Sequence, residues 1–332
     1  MSEEKTQVQN ARKDLDILNK MKNLPGGLVI IPLVIAVVLA TFVPQVFQIG
    51  GYVTALFYEG NACMMGFFLI VCGSMIDIKQ VGMPLYKGVI MTGTKFLLGV
   101  IVGLIVGKIC GPEGFLGIAP FVLIATITNS NGSLYISLSS QFGNATDTGA
   151  ISILSLNDGP FFTLIALGAT GLANIPIKSL IAVLVPLLIG FIWGNLDKGF
   201  RDACKTAQPI VTFFMTISIG AKTDIKTILT AGASGIVLGL ISAATAVIFF
   251  FVINLLLPKK ERNAMGAAIG TTALNSAMTP AAVAEADPSM EGMVSMATAQ
   301  CATASIITLF LCPFITAAVS YTHLTLPTIR LV

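Results

Sequence analysis

Apolar runs long enough to cross a lipid bilayer recur along nearly the whole chain, and no other feature restricts its fold as strongly. A bilayer core about 30 Å thick asks for roughly 20 mainly apolar residues per helix. Between polar or Pro/Gly punctuation, such runs fall at 26–44, 61–76, 88–107, 115–141, 148–171, 177–194, 207–221, 232–257, 264–286 and 292–319. The second and seventh are short, and polar clusters interrupt the fourth and ninth. Charge content agrees: 11% of the 332 residues are Asp, Glu, Lys or Arg and the mean hydropathy is +0.88, whereas soluble domains carry roughly a quarter charged residues. A water-soluble globule and a disordered chain are thereby excluded. The formal net charge of +3, with no basic stripe, argues against nucleic-acid binding. Six cysteines are scattered, mostly in apolar runs and without CxxC spacing, so neither a zinc site nor a disulfide framework is expected. The expected class is an all-α membrane protein of about ten transmembrane helices, with the lipid bilayer as its first partner.

Residues 1–24 are polar, carry both signs of charge and lack an apolar stretch near the start, so no cleaved signal peptide is expected there. Asp14, Leu15, Ile17, Leu18 and Met21 predict a short surface helix ahead of Pro25-Gly26-Gly27. Lys and Arg in the loops set the orientation. With the amino terminus inside, fourteen fall on the cytoplasmic side and four on the other (Lys108, Lys178, Lys222 and Lys226), while Lys95 lies within a span. Both termini are therefore expected in the cytoplasm.

The chain also resembles itself at an offset near 146 residues. Phe67-Phe68 followed by Asp77-Ile78-Lys79 recurs as Phe213-Phe214 followed by Asp224-Ile225-Lys226, and Asn129-Ser130 and Thr126 meet Asn275-Ser276 and Thr272. The implied organisation is a cytoplasmic segment 1–24, a five-helix repeat 25–175, a second repeat 176–319 and a tail 320–332. An odd number of spans per half inverts the second half relative to the first. Inverted repeats with paired discontinuous helices are the build of many secondary transporters, whose sites lie at the midplane.

The polar clusters fall where such a site would form. Thr126-Ile127-Thr128-Asn129-Ser130-Asn131-Gly132-Ser133 sits near the middle of the fourth span, and Thr271-Thr272-Ala273-Leu274-Asn275-Ser276-Ala277-Met278-Thr279-Pro280 repeats the idea in the ninth. Irregular backbone at that depth is tolerated only where protein covers it or it lines a cavity. Pro280 suits the first turn of a new half-helix, with Thr279 as its cap. Two half-helix amino ends would then face the centre and favour a small polar solute, anionic rather than cationic. The competing reading is that Asn and Ser merely hold helices together. Expected binding residues are Asn129, Ser130, Asn131, Ser133, Asn157, Asn275, Ser276 and Thr279, with Gln300, at the repeat position of the 154–157 region, lining the same cavity.

Two ionisable residues lie deep in the spans, Asp158 in the fifth and Lys95 in the third. Such groups face cavities, pair, or mark ion paths. They are assigned to proton coupling, with Asp158 as carrier. The alternatives are an Asp158–Lys95 pair that only positions helices, or a Lys95 that snorkels to the surface. Glu59, Asn61 and Glu285 read as rim residues, Asp77, Lys79, Asp224 and Lys226 as loop charges, and Gly99, Gly103 and Gly107 as a close-packing row.

Taken in order, Pro25-Gly26-Gly27, Thr94-Lys95, Thr128-Asn129 with Gly132-Ser133-Leu134-Tyr135, Ser155-Leu156 with Gly159-Pro160, Gly194-Asn195-Leu196-Asp197, and Thr279-Pro280 leading to Ala284-Glu285 resemble the 2-keto-3-deoxygluconate permeases. These belong to the wider bile-acid/arsenite/riboflavin transporter superfamily. The resemblance runs to about Thr316; from Tyr321 onward the tail, with the only histidine, departs from it. It implies ten helices, the fourth and ninth crossing at their breaks, and proton-coupled uptake of a small anionic sugar acid across a bacterial inner membrane, without a cofactor. Sodium coupling on the same architecture is the alternative. An enzyme is disfavoured because no HExxH motif exists and Asp158 has no second buried acid nearby in sequence. Oligomeric state is left open.

Overall fold

Proline and glycine place the helix ends in the computed structural model, which describes residues 15–23, 27–79, 82–223 and 225–329. The expectations for residues 1–14, Pro25, Gly26, Asp224 and Arg330 lie outside that set, as do those for the side chains of Ser133, Asp158 and the only histidine. In chain order the helices are α1 Ile17–Asn23, α2 Gly27–Phe42, α3 Gly51–Phe57, α4 Asn61–Met75, α5 Met83–Cys110, α6 Pro120–Thr128, α7 Gly132–Phe142, α8 Ala145–Gly149, α9 Ile151–Leu154, α10 Phe161–Thr170, α11 Ile177–Leu196, α12 Lys198–Gly220, α13 Ile225–Leu256, α14 Met265–Ala268, α15 Thr279–Ala286 and α16 Val294–Ile329. Proline occupies the first turn of α5, α6 and α15, where its missing N–H costs no hydrogen bond. Gly171, in the left-handed region at φ 70°, closes α10, as helix C-termini commonly do. Among the described residues the only β-pairing is the isolated Phe115–Ile118 bridge.

Four helical stretches are long and apolar enough to cross a bilayer: Met83–Cys110, Ile177–Leu196, Leu229–Leu256 and Pro288–Tyr321. Two bent pairs raise the number to six, Gly51–Phe57 with Asn61–Met75 at 55° and Ala145–Asn157 with Phe161–Thr170 at 58°. This is a nearly all-helical, multi-pass membrane protein. The remaining expected spans coincide with helices that are short (α2, 16 residues), polar at one end (α12) or interrupted (α6 with α7, α14 with α15). Alone, α6 is 9 residues and α7 is 11, each about half a bilayer at 1.5 Å per residue.

The helices pack in two groups. In one, α4 lies on α11 and α12, and α2 lies on α12; in the other, α5 packs on α6, α8 and α9, and α13 on α14 and α16. The groups meet where α4 touches α15 and the turn Ser155–Asp158, and where α10 touches α11. Small residues allow the tightest contacts. A Cβ on Gly190 would meet the Ile70 carbonyl of α4, and one on Gly103 would come 2.4 Å from Ile124 Cγ1 of α6. The Gly99/Gly103/Gly107 row thus seats α6 against α5, as its spacing predicts. With lipid-like solvent outside, such packing and interhelical hydrogen bonds, rather than hydrophobicity, join the helices.

Candidate functional site

All nine residues of α6 are buried, and the helix stops at Asn129, which is extended at φ −75°, ψ 149°. Asn131 is also extended, and its side chain accepts from the Leu134 N–H at 3.0 Å, capping α7. The second break is longer. After the single turn of α14 the chain runs irregularly to Ala273, makes a 3-10 turn over Leu274–Met278, and enters α15. Here one expectation is corrected. The residue flanking α15 is Met278, which offers no side-chain cap, while Thr279 and Pro280 form the first helical positions. Methionine is tolerated there because the preceding 3-10 turn, rather than a side chain, leads the backbone into the helix.

The two breaks touch, and they run antiparallel. Asn129 Oδ1 accepts from the Ala273 N–H at 2.7 Å and from Thr272 Oγ1 at 3.3 Å, while the Asn131 N–H donates to Thr271 Oγ1 at 3.3 Å. Asn129 Nδ2 turns the other way and donates to the Asn157 carbonyl at 3.0 Å. Asn157, 2% exposed, donates from Nδ2 to Ser130 Oγ at 3.4 Å. Asn129, Ser130, Asn131 and Asn157 of the first half therefore converge with Thr271, Thr272 and Ala273 of the second. Two amide oxygens near the breaks, Asn157 Oδ1 and Asn275 Oδ1, are buried without a hydrogen-bond partner. A buried acceptor in that state costs about 1–3 kcal/mol, which a ligand donor would relieve.

Lys95 does not snorkel. It is 1% exposed, and its amino group donates to the carbonyls of Ile269 and, at 2.7 Å, Thr271, both in the second break. The Phe249 ring lies beneath it, 5.5 Å away. Phe249 belongs to α13, so one first-half lysine is gripped by two second-half segments.

Residues that sequence reasoning passed over complete the second break. Ser305 Oγ of α16 donates to the Ala273 carbonyl at 2.8 Å and lies 3.3 Å from Ser276 Oγ, and Thr308 Oγ1 accepts from the Thr272 N–H at 3.2 Å. Their i, i+3 spacing on one face of the last long helix was the available signal. Thr279 is also buried. Gln300 is placed elsewhere: its Nε2 donates to the Gly117 carbonyl at 2.8 Å and to Ser234 Oγ at 2.9 Å, beside a cavity of about 460 Å³ that also borders Met296.

Two adjoining cavities of about 370 and 330 Å³ lie between the helix groups and share Asn61, Ala62 and Glu285. Both run along α15, through Ala282 on one side and Ala281 and Ala284 on the other. Lys178 borders the first, and the second is lined by Lys222 together with Glu59, Glu285 and Glu291. Asn61 and Glu285, read from sequence as rim residues, are thus the shared wall, and Asn61 Oδ1 is a further buried acceptor without a partner.

A second polar centre lies at the other end of the helices. Lys87 and Asp147, both fully buried, are 2.6 Å apart, and Lys87 lies 3.1 Å from Glu261. Asn263 Nδ2 donates to Asp147 Oδ2 at 2.6 Å, and the Tyr135 hydroxyl donates to the Asp147 carbonyl at 3.0 Å. The cluster ties the start of α5 to α7, to α8 and to the residues leading into α14. The hydrogen bond from Lys87 holds the Glu261 carboxyl below its ordinary range, helped by Thr146. Sequence reading placed Lys87 among loop charges; the Asn144-x-x-Asp147 capping box was its visible trace. A third network, in which Arg201 bonds Asp77 at 3.0 Å and Asn195 at 3.2 Å, fastens the ends of α4, α11 and α12.

Comparison of the sequence with known proteins identifies its relatives. A family profile described as 2-keto-3-deoxygluconate permease matches residues 18–323. The chain is 43% identical over 306 residues to 2-keto-3-deoxygluconate permease 1 of Salmonella typhimurium, covering 92% of this chain and 96% of that protein. It is 30% identical over 301 residues to the 2-keto-3-deoxygluconate permease of Bacillus subtilis, covering 89% and 91% of the two chains. The same identity over 312 residues relates it to the 2-keto-3-deoxygluconate permease of an Escherichia coli O7:K1 strain, covering 91% and 94%. A permease is a transport protein and not an enzyme. Matched over nearly its whole length, the chain belongs to the 2-keto-3-deoxygluconate permease family.

Proposed function

We propose that this chain is a secondary transporter that carries 2-keto-3-deoxygluconate inward with a proton, by alternating access, across a bacterial inner membrane. Ten spans form two inverted five-helix halves, 25–175 and 176–319, with both termini in the cytoplasm. The observation that carries the reading is the antiparallel meeting of the two breaks, where Asn129 of one half accepts from the Ala273 N–H of the other. Extended backbone from opposite halves, at the middle of interrupted helices, is the arrangement in which transporters hold small solutes. The packing supports inversion as well: α4 on α11 and α12 on α2 are the same contact with the halves exchanged.

The sugar acid would be held by groups with unused capacity. Asn157 Oδ1 and Asn275 Oδ1 accept from its hydroxyls, and Ser130, Ser133, Ser276 and Thr279 supply further polar contacts. Asn129 and Asn131 hold the backbone that presents them, and Gln300 steadies α16 against α13. The partial positive charge at the start of α15 favours the substrate carboxylate. In the proposed orientation the cavities beside Asn61 and Glu285 open outward, toward Lys178 and Lys222. Movement of the α2/α4/α11/α12 group against the other would close them. Asp158, in the turn Ser155–Asp158 that touches α4, is assigned the proton, and Lys95 is assigned the fixed charge of the coupling pair.

Counterflow of labelled 2-keto-3-deoxygluconate in proteoliposomes, with and without an inward-acid pH step, tests this. Accumulation driven by the pH step and unchanged when choline replaces sodium is expected. Asp158→Asn should abolish that accumulation while sparing exchange. Sodium dependence, or pH-driven accumulation in Asp158→Asn, would reject the proton role.

A further inference from the structure

The two carbonyls that hold Lys95 form an oxygen-lined place for a cation. Ile269 and Thr271 lie just past the single turn of α14, and unwound backbone carbonyls of this kind coordinate sodium or protons in other transporters. The face of the Phe249 ring, itself fully buried, adds a third attraction for positive charge. Lys95 reaches this place from α5, in the opposite half. The helix in the corresponding position of the second half, α13, carries no charged residue beyond Lys226.

We infer that the Lys95 ammonium is a resident cation, occupying at the second break the site a free monovalent ion would otherwise take. Two consequences follow. The chain has no use for sodium there, and shortening Lys95 uncovers a carbonyl site that accepts sodium or a small alkylammonium ion. Lys95 is then a positioning residue, fixing Ile269–Thr271 against the first break. This inference rests on the proposed transport function only for its uptake readout; its binding readout stands apart.

The test is thermal melting of the purified, full-length protein in sodium, ethylammonium or choline chloride at equal ionic strength. For wild type, equal melting in all three salts is expected. For Lys95→Ala, melting in choline should fall, and sodium or ethylammonium should restore roughly 3 °C or more in a saturable way. Lys95→Met, which keeps the volume without the charge, should stay folded, respond to no cation and lose most uptake. Lys95→Ala melting alike in all three salts would overturn the inference, as would wild-type uptake by Lys95→Met. Should Lys95→Ala not survive purification, the same titration on Lys95→Cys decides by the same criteria. Absence of counterflow by wild type would refute the transport reading while leaving the melting result to judge Lys95.

Discussion

The first break is three residues long and reaches outward through its own asparagines, whereas the second is about ten residues long and is held by side chains from other helices. In the first, Asn129 and Asn131 are both placer and filler: one reaches across to Ala273, the other caps its own helix. In the second, Lys95, Ser305 and Thr308 arrive from other helices to satisfy the backbone, Asn275 Oδ1 is left without a partner, and α15 starts uncapped. Asn129 and Asn275, paired only by their offset in the sequence, thus differ: the amide oxygen of the first bonds across to Ala273, whereas that of the second has no partner. Any interaction with substrate should therefore weigh on the second break, and structural integrity on the first.

Four substitutions sharpen or break that contrast. The largest effect is expected away from both breaks, at the cluster that anchors the entry to α14. Asp147→Asn leaves Lys87 buried with one acidic partner, and breaking a buried ion pair costs about 3–5 kcal/mol. A loss of cooperative melting, or a fall in melting temperature on the order of 10 °C, checks this by differential scanning calorimetry. Next, Asn129→Ala strands the Ala273 N–H and the Asn157 carbonyl. Each unsatisfied group costs about 1–3 kcal/mol, so both stability and uptake should drop, uptake by about 100-fold. Asn275→Ala should separate the two: unchanged melting, with substrate affinity about tenfold weaker, the worth of one hydrogen bond. If Asn275→Ala destabilised the fold as Asn129→Ala does, the asymmetry would be gone.

The smallest effect concerns pH. The Glu261 carboxyl titrates below its ordinary value of 4.5 in the folded chain because Lys87 hydrogen-bonds it. A lowered folded value means its stabilising contribution is complete above the unfolded value and is lost as pH falls through the lower one. Glu261→Gln should flatten the decline of melting temperature below about pH 4.5 and cost a little above it. An identical acid limb in the variant would remove Glu261 from the anchor.

How much of this was legible in sequence follows from the physics of each element. Long apolar runs and Pro/Gly punctuation mark helices directly, so α5, α11 and α13 fell where expected, while α16 begins as expected but runs on to Ile329, past the expected end at 319. The breaks were visible because Asn, Ser and Thr seldom cluster in the middle of an apolar run unless the backbone opens there. The bend at Gly159-Pro160 was equally visible, since Gly-Pro follows the polar pair Asn157-Asp158 inside an otherwise apolar run. Partnerships were not legible. Nothing local to Lys95 says that its ammonium meets Ile269 and Thr271, 174 and 176 residues away, because lysine reach allows a surface or a buried course. Lys87 looked like a loop charge because its partner Asp147 lies 60 residues on. Gln300 was placed by repeat arithmetic alone, and its partners Gly117 and Ser234 lie 183 and 66 residues away.

One measurement bears most directly on the claim that the crossing breaks hold the sugar acid. Asn157→Leu and Asn275→Leu, combined in one chain, remove both unpartnered oxygens while keeping side-chain size. Equilibrium dialysis of labelled 2-keto-3-deoxygluconate against the purified double variant should show affinity weakened by about 100-fold or more, with melting within a few degrees of wild type. Undiminished affinity in a folded double variant would contradict the claim and move the binding site away from the breaks.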